Sequence, residues 1–211
     1  MKYRLIIFDF DGTLADTFDW FVKNIRLMAD KYKFKNVTDD EISKLRDNDV
    51  KFMMKYVGFP SLKLPIIATQ MRNQMTREID NIKLFPGIPE ILRKLTEANF
   101  KISVVSSNST RNVKHVLGQE LCDLIDHFEC GVSMFGKESK LTKAVKKSNS
   151  KFEESIYIAD ELRDIEAAHK LAMAFGAVSW GYTNSEALKE KNPEVIFENV
   201  SDIYDKLIDE N

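Results

Sequence analysis

Four short apolar runs punctuate the chain: Arg4 to Phe8, Ile102 to Val105, Ser155 to Ala159 and Ala177 to Trp180, each bounded by polar or turn-forming residues. Between and after them, apolar positions recur at helical spacing. Helices are expected over Pro89 to Ala98, about Thr110 to Leu117, Leu141 to Lys147 and Leu162 to Phe175. Ile196-Phe197 offers a short last strand, before a closing helix from Val200 to Ile208. Continuous apolar strands alternating with amphipathic helices predict an α/β fold, a Rossmann-like parallel sheet covered on both faces.

Between Asp16 and Lys83 the pattern changes. No β run occurs, and Phe18, Phe21, Val22, Ile25, Met28 and Ala29, then Phe52, Met53, Tyr56 and Val57, follow a helical period. Phe59-Pro60 and Leu64-Pro65 interrupt it. The stretch reads as about four helices. Phe85-Pro86-Gly87 then returns the chain to the sheet. The expected organisation is an α/β core over 1–15 and 84–211, with a helical cap over 16–83 inserted after the first strand. No internal repeat or low-complexity segment is visible.

Composition narrows the function classes. The 211 residues include 44% apolar residues, an ordinary globular share. Lysine and arginine total 31 against 33 acids, a net charge of -2, which argues against a nucleic-acid partner. No apolar run approaches the roughly 20 residues that span a bilayer, so no membrane association is expected. The N-terminal run flows into acidic residues and reads as a strand, not a leader. Cys122 and Cys130 are the only cysteines and have no zinc-site spacing, which suits reduced thiols and a cytoplasmic protein.

The first strand delivers Asp9 and Asp11 to its C-terminal end, where open α/β sheets bind ligands. Spaced i, i+2 on extended chain, both carboxylates lie on one face. Charges so close either raise one pKa or require a cation. A raised pKa suits proton donation to a leaving alcohol, and the cation, Mg2+, suits a phosphate ligand. Gly12 permits a tight turn near a ligand, and Thr13 offers a hydroxyl to orient Asp11. Taken alone, the pair also fits a solvated acidic turn.

Phe8-Asp9-Phe10-Asp11-Gly12-Thr13-Leu14 resembles the first motif of the haloacid dehalogenase superfamily. The resemblance implies that Asp9 is a nucleophile forming an aspartyl phosphate, and that Asp11 is the general acid and then the base. A second Asp at this place marks phosphatases, not dehalogenases. Ser106, in Val104-Val105-Ser106-Ser107-Asn108, resembles the second motif, with Ser107 and Asn108 adding phosphate contacts. Ser109 or Thr110 is also placed to cap the next helix. Lys137, in Phe135-Gly136-Lys137, resembles the third-motif lysine that pairs with nucleophile and phosphate, with Lys140 as its rival. Ala159-Asp160-Glu161-Leu162-Arg163-Asp164 resembles the fourth motif, with Ala159 where glycine is usual. It implies Asp160 as a Mg2+ ligand beside Asp9 and Asp11, and Asp164 holding the lysine or the metal shell.

The insertion point matches the cap type that follows the first motif in this superfamily, and substrate specificity is expected there. Arg46, in Leu45-Arg46-Asp47-Asn48-Asp49-Val50-Lys51, is the candidate cap contact to substrate, with Lys51 beside it. A solvated loop is the competing reading, since the glycine of similar caps is missing. His115, His127 and His169 stand in no metal or triad spacing. Trp180-Gly181-Tyr182 either lines the mouth of the site or packs. The expectation is a Mg2+-dependent phosphatase acting on a small phosphorylated metabolite, closest in look to phosphoglycolate phosphatases, as a monomer or homodimer. The alternatives are a phosphomutase, a silent binding protein on this scaffold, or a phosphonate-cleaving enzyme with a cap lysine such as Lys51.

Overall fold

The structure, a computed structural model, describes residues 2–131 and 136–209. Six parallel strands form the main sheet: β1 (Leu5–Phe8), β4 (Lys101–Val105), β5 (His127–Glu129), β6 (Ser155–Ala159), β7 (Ala174–Val178) and β8 (Val195–Phe197). Their order across the sheet is β5-β4-β1-β6-β7-β8. The chain builds outward on one side of β1, then returns to build on the other. The crevice at β1 and β6 is therefore a topological switch point, where such sheets bind ligands.

Alternation on β1 sorts its side chains onto two cores. Ile6 and Phe8 pack with Ile102, Val104, Ile156 and Ile158, under α5 (Ile88–Glu97), α6 (Thr110–Cys122) and α10 (Asp202–Asp209). Leu5 and Ile7 pack with Val105, Tyr157, Ala159 and Phe175, under α7 (Glu138–Lys147), α8 (Leu162–Lys170) and α9 (Ser185–Lys189). All four β1 side chains are fully buried, as expected of a central parallel strand. Register does the rest. Phe8 pairs with Val104 and Ile158, so Asp9, Ser106 and Asp160 emerge together at one sheet edge.

The 16–83 stretch holds four helices, α1 (Phe18–Tyr32), α2 (Asp39–Leu45), α3 (Val50–Tyr56) and α4 (Leu64–Arg77). Pro65 sits in the first turn of α4, where a missing N–H costs nothing, so Leu64-Pro65 opens a helix. The chain enters and leaves this block through β2 (Ala15–Asp16) and β3 (Lys83–Leu84), an antiparallel pair in which Ala15 faces Leu84 and Asp16 faces Lys83.

Several expected boundaries are corrected. The helix expected to reach Phe175 ends at Lys170, because Ala172 turns into left-handed backbone at φ 51°. The strand expected over Ala177 to Trp180 is Ala174–Val178, with Trp180 beyond the sheet. The edge strand β5 was not expected. It has one neighbour and only three residues, so no apolar run betrays it. The helix expected to end at Leu117 continues to Cys122 past a break at Gly118. Ala159 lies within β6 and is absent from the positive-φ residues, so replacing the usual glycine strains nothing there. Cys122 and Cys130 are unpaired thiols. Among the described residues, no helix is long and apolar enough to cross a membrane.

Gly176 lets the outer strands approach. A Cβ there would lie 2.6 Å from Phe197 Cε2 and 3.3 Å from Ile158 Cγ1. Gly176→Ala should therefore lower stability by about 1–3 kcal/mol through overpacking. Urea unfolding of the two proteins measures the loss.

Candidate active site

The loop after β1 folds back on a single acceptor. The Phe10 carbonyl accepts from the N–H groups of Thr13, Leu14 and Ala15 at 3.3, 3.0 and 2.9 Å. This coil needs Gly12 at φ 77°, and a Cβ there would sit 2.3 Å from Asp160 Oδ2. Asp9 is thereby fixed at the strand end, 3% exposed. Its Oδ1 accepts from the Phe10 N–H at 2.7 Å, and its Oδ2 accepts from Lys137 Nζ at 2.5 Å.

Lys137 immediately precedes α7, at its N-cap position, and is as buried as Asp9. Its ammonium also lies 2.8 Å from Asp164 Oδ1 and donates to Tyr157 Oη at 2.9 Å. Lys140, its rival, points away and pairs with Glu129, which also holds Lys147. Phe135 of the third-motif segment lies outside the described residues. Asp160 accepts from Thr13 Oγ1 at 2.8 Å and from the Tyr182 N–H at 2.7 Å. Thr13 thus orients Asp160, not Asp11 as expected.

Asp11 is held differently. Asn108 Nδ2 donates to both of its oxygens at 3.2 Å. Asn108 in turn accepts from Asn112 Nδ2 at 3.0 Å, so its amide is oriented by α6. Ser106 is fully buried, and its Oγ accepts from the Asn108 N–H at 3.0 Å, leaving its own O–H to donate elsewhere. The Ser107 carbonyl accepts from Arg72 of α4 at 3.1 Å. Ser109 caps α6, accepting from the Asn112 N–H at 3.1 Å.

Arg46 takes a role the sequence reading did not foresee. Its Nε donates to the Tyr182 carbonyl at 2.8 Å and its Nη2 to the Gly181 carbonyl at 2.7 Å. Its guanidinium carbon lies 4.6 Å from the centre of the Phe18 ring. Two of its three guanidinium nitrogens donate to backbone carbonyls. Lys51 is exposed on α3.

Asp9, Asp160 and Asp164 each bring a carboxylate oxygen within 4.8 Å of the others, and all three are buried. Asp164 Oδ2 has no hydrogen-bond partner among the described residues. An orphaned buried carboxylate oxygen is costly, and a hard divalent cation with oxygen ligands relieves it. These residues fit Mg2+. The Asp11 carboxylate lies outside this trio.

Burial, reinforced by the crowding of like charge, shifts the acids upward. Burial, and then the charges of Asp164 and Glu161 against the opposing pull of Lys137, push Asp9 up to about 6. Burial and then the Asp9 charge push Asp11 up to about 7. Burial, Glu161 and Asp9 hold Asp160 well above the usual carboxylate range. Burial opposes the charge on Lys137, but Asp164 and Asp9 outweigh it and hold the ammonium firmly protonated.

Tyr157, which sequence reasoning missed, has no motif. It sits inside an apolar strand, and only its phenol distinguishes it. Gly181 packs on Asp160 so closely that a Cβ would lie 2.1 Å from the Asp160 Cβ. The Trp180-Gly181-Tyr182 segment was expected to line the mouth of the site or to pack, and its glycine does pack, against Asp160.

A family model described as haloacid dehalogenase-like hydrolase matches residues 6–178. The chain is 26% identical over 201 residues to the phosphoglycolate phosphatase of Synechococcus elongatus, covering 95% of each. It is 25% identical over 210 residues to the pyrophosphatase PpaX of Oceanobacillus iheyensis, covering 96% of each. The crystal structure of a predicted phosphatase from Clostridium acetobutylicum superposes with a TM-score of 0.83 at 22% identity, over 99% of this chain and 100% of that one.

The raised Asp11 pKa has a stability consequence. Between the unfolded value of 3.8 and about 7, the folded protein binds the extra proton. Stability contributed by this group therefore falls as pH rises through that window. In EDTA, Asp11→Asn should be more stable than the parent at pH 8 by on the order of 2 kcal/mol, with the gap closing toward pH 4. Urea titrations at pH 4, 6 and 8 measure it.

Proposed function

The chain belongs to the haloacid dehalogenase-like hydrolase family, and from that premise we propose a Mg2+-dependent phosphatase of small phosphomonoesters that works through an aspartyl phosphate on Asp9. The observation that carries this reading is the buried Asp9 carboxylate, 2.5 Å from Lys137, with Asp160 and Asp164 alongside. An isolated acidic turn has no reason to bury a lysine among three carboxylates. The relatives named phosphoglycolate phosphatase and pyrophosphatase make phosphoglycolate and pyrophosphate the first substrates to try.

In the first half-reaction an Asp9 oxygen attacks phosphorus in line with the leaving oxygen. Asp11, pushed up to about 7, carries a proton near neutral pH and gives it to that oxygen. Lys137 offsets negative charge on the nucleophile and the phosphoryl group, and the free O–H of Ser106 donates to a phosphoryl oxygen. In the second half-reaction Asp11, now ionised, takes a proton from the water that attacks the aspartyl phosphate. Asp9, Asp160 and Asp164 would hold Mg2+, which when bound offsets the charge of carboxylates and phosphate. Asn108 keeps Asp11 in place for both proton transfers. The helical block 16–83 acts as a cap, a reading supported by the Arg46 and Arg72 contacts to the loops beside the site.

Asp9→Asn should lower Mg2+-dependent hydrolysis of p-nitrophenyl phosphate at least about 1,000-fold without loss of the folded circular-dichroism spectrum. Activity retained in that variant removes Asp9 as nucleophile. Lys137→Met should cost at least about 100-fold in kcat, and Lys140→Met, on the Glu129 pair, less than about threefold. Equal losses in steady-state kinetics would overturn the assignment to Lys137.

A further inference from the structure

We propose that Arg46 is a positioning residue: it latches the 16–83 block to the sheet and, through one peptide plane, sets the orientation of Asp160. The Gly181 carbonyl and the Tyr182 N–H belong to the same rigid amide unit. Arg46 Nη2 donates to that carbonyl at 2.7 Å, and that N–H donates to Asp160 Oδ2 at 2.7 Å. The relay is therefore guanidinium, planar amide, carboxylate, with no soft torsion inside it.

Three further observations make the contact a built latch. Arg46 Nε takes the next carbonyl along, that of Tyr182, so the fork spans two consecutive peptide units. The Asn184 N–H donates back to the Arg46 carbonyl at 3.0 Å, and Asn184 Nδ2 donates to Asp47 Oδ1 at 2.7 Å and to the Ser43 carbonyl at 3.3 Å. The Tyr182 ring packs on Phe18 and Phe21 of α1, with centroids 5.3 and 5.4 Å apart, and its hydroxyl meets Thr17 Oγ1 at 2.9 Å. Two separate parts of the block, the start of α1 and the turn after α2, thus grip the short loop that holds Asp160.

The plane needs such a grip. Gly181 has no Cβ and imposes little torsional preference of its own. A cationic donor on the carbonyl also polarises the amide and strengthens the N–H bond to Asp160. When the block lifts, the plane is released and Asp160 loses a fixed donor. Asp160 is then properly oriented only under a docked block.

The structural part of this inference is independent of the phosphatase reading, and the kinetic part rests on it. Arg46→Lys keeps the charge but cannot fork across two carbonyls, and Arg46→Gln removes the charge. Hydrogen exchange on the metal-free proteins should quicken at the amides of Tyr182 and Asn184 at least about tenfold, with those of Ile156 and Ile158 unchanged. The Mg2+ concentration for half-maximal hydrolysis of p-nitrophenyl phosphate should rise at least about fivefold, with KM for that ester within about twofold. Unchanged exchange at Tyr182 and Asn184 overturns the latch. A raised KM with unchanged Mg2+ demand makes Arg46 a substrate contact and also overturns it. Should both variants unfold, Asn184→Ala carries the test, since it cuts the side-chain bonds to Asp47 and the Ser43 carbonyl with Arg46 intact and should quicken Tyr182 exchange in the same direction. A parent protein without phosphatase activity would sink the functional reading and leave the exchange result to decide the latch.

Discussion

The structure depends on one buried cation. Lys137 holds Asp9 and Asp164 together at 2.5 and 2.8 Å, with Tyr157 as a third partner. Without it, buried carboxylates would face one another across the sheet edge, and breaking such a pair typically costs about 3–5 kcal/mol. The burial that makes the cluster expensive also tunes it. Taken from water, Asp9 and Asp11 rise to about 6 and about 7, the range in which a carboxyl exchanges protons near neutrality. Stability is surrendered here and recovered in the two apolar layers that clamp β1.

Those layers explain why the acids meet at all. Asp9, Ser106 and Asp160 come from segments more than fifty residues apart, yet parallel register brings their strand ends level. This much was legible in the chain, because central strands announce themselves as apolar runs and chemistry sits where each run stops. Lys137 was legible as a motif and preferred to Lys140, and packing separates the two, with Lys137 on Asp9 and Asp164 and Lys140 on Glu129. Glu129, which captures Lys140, belongs to an edge strand with no apolar signature.

Other features were hidden for a physical reason: they involve partners defined by packing, not by spacing. Thr13 was assigned to Asp11, its near neighbour in sequence, and bonds Asp160 instead, because the coil around the Phe10 carbonyl turns it across the crevice. Tyr157 looks like one more strand residue. Arg46 was readable as a cation near the site, but not as one whose donors are satisfied by carbonyls from the far end of the chain.

The helical block touches the core at widely separated places. At one flank Arg46 and Asn184 join it to the loop after β7. At the other, Arg72 meets the Ser107 carbonyl and Thr76 meets Asn112. Its only covalent crossings are the two strands of the β2–β3 ribbon, where Ala15 and Leu84 lie side by side. Neighbouring strands run about 4.8 Å apart, so the chain leaves the sheet and re-enters it almost at the same point. The path of the sheet strands is therefore indifferent to the length of the excursion between those residues. What the excursion carries still reaches one carboxylate, because Arg46 grips the far side of the peptide plane that faces Asp160.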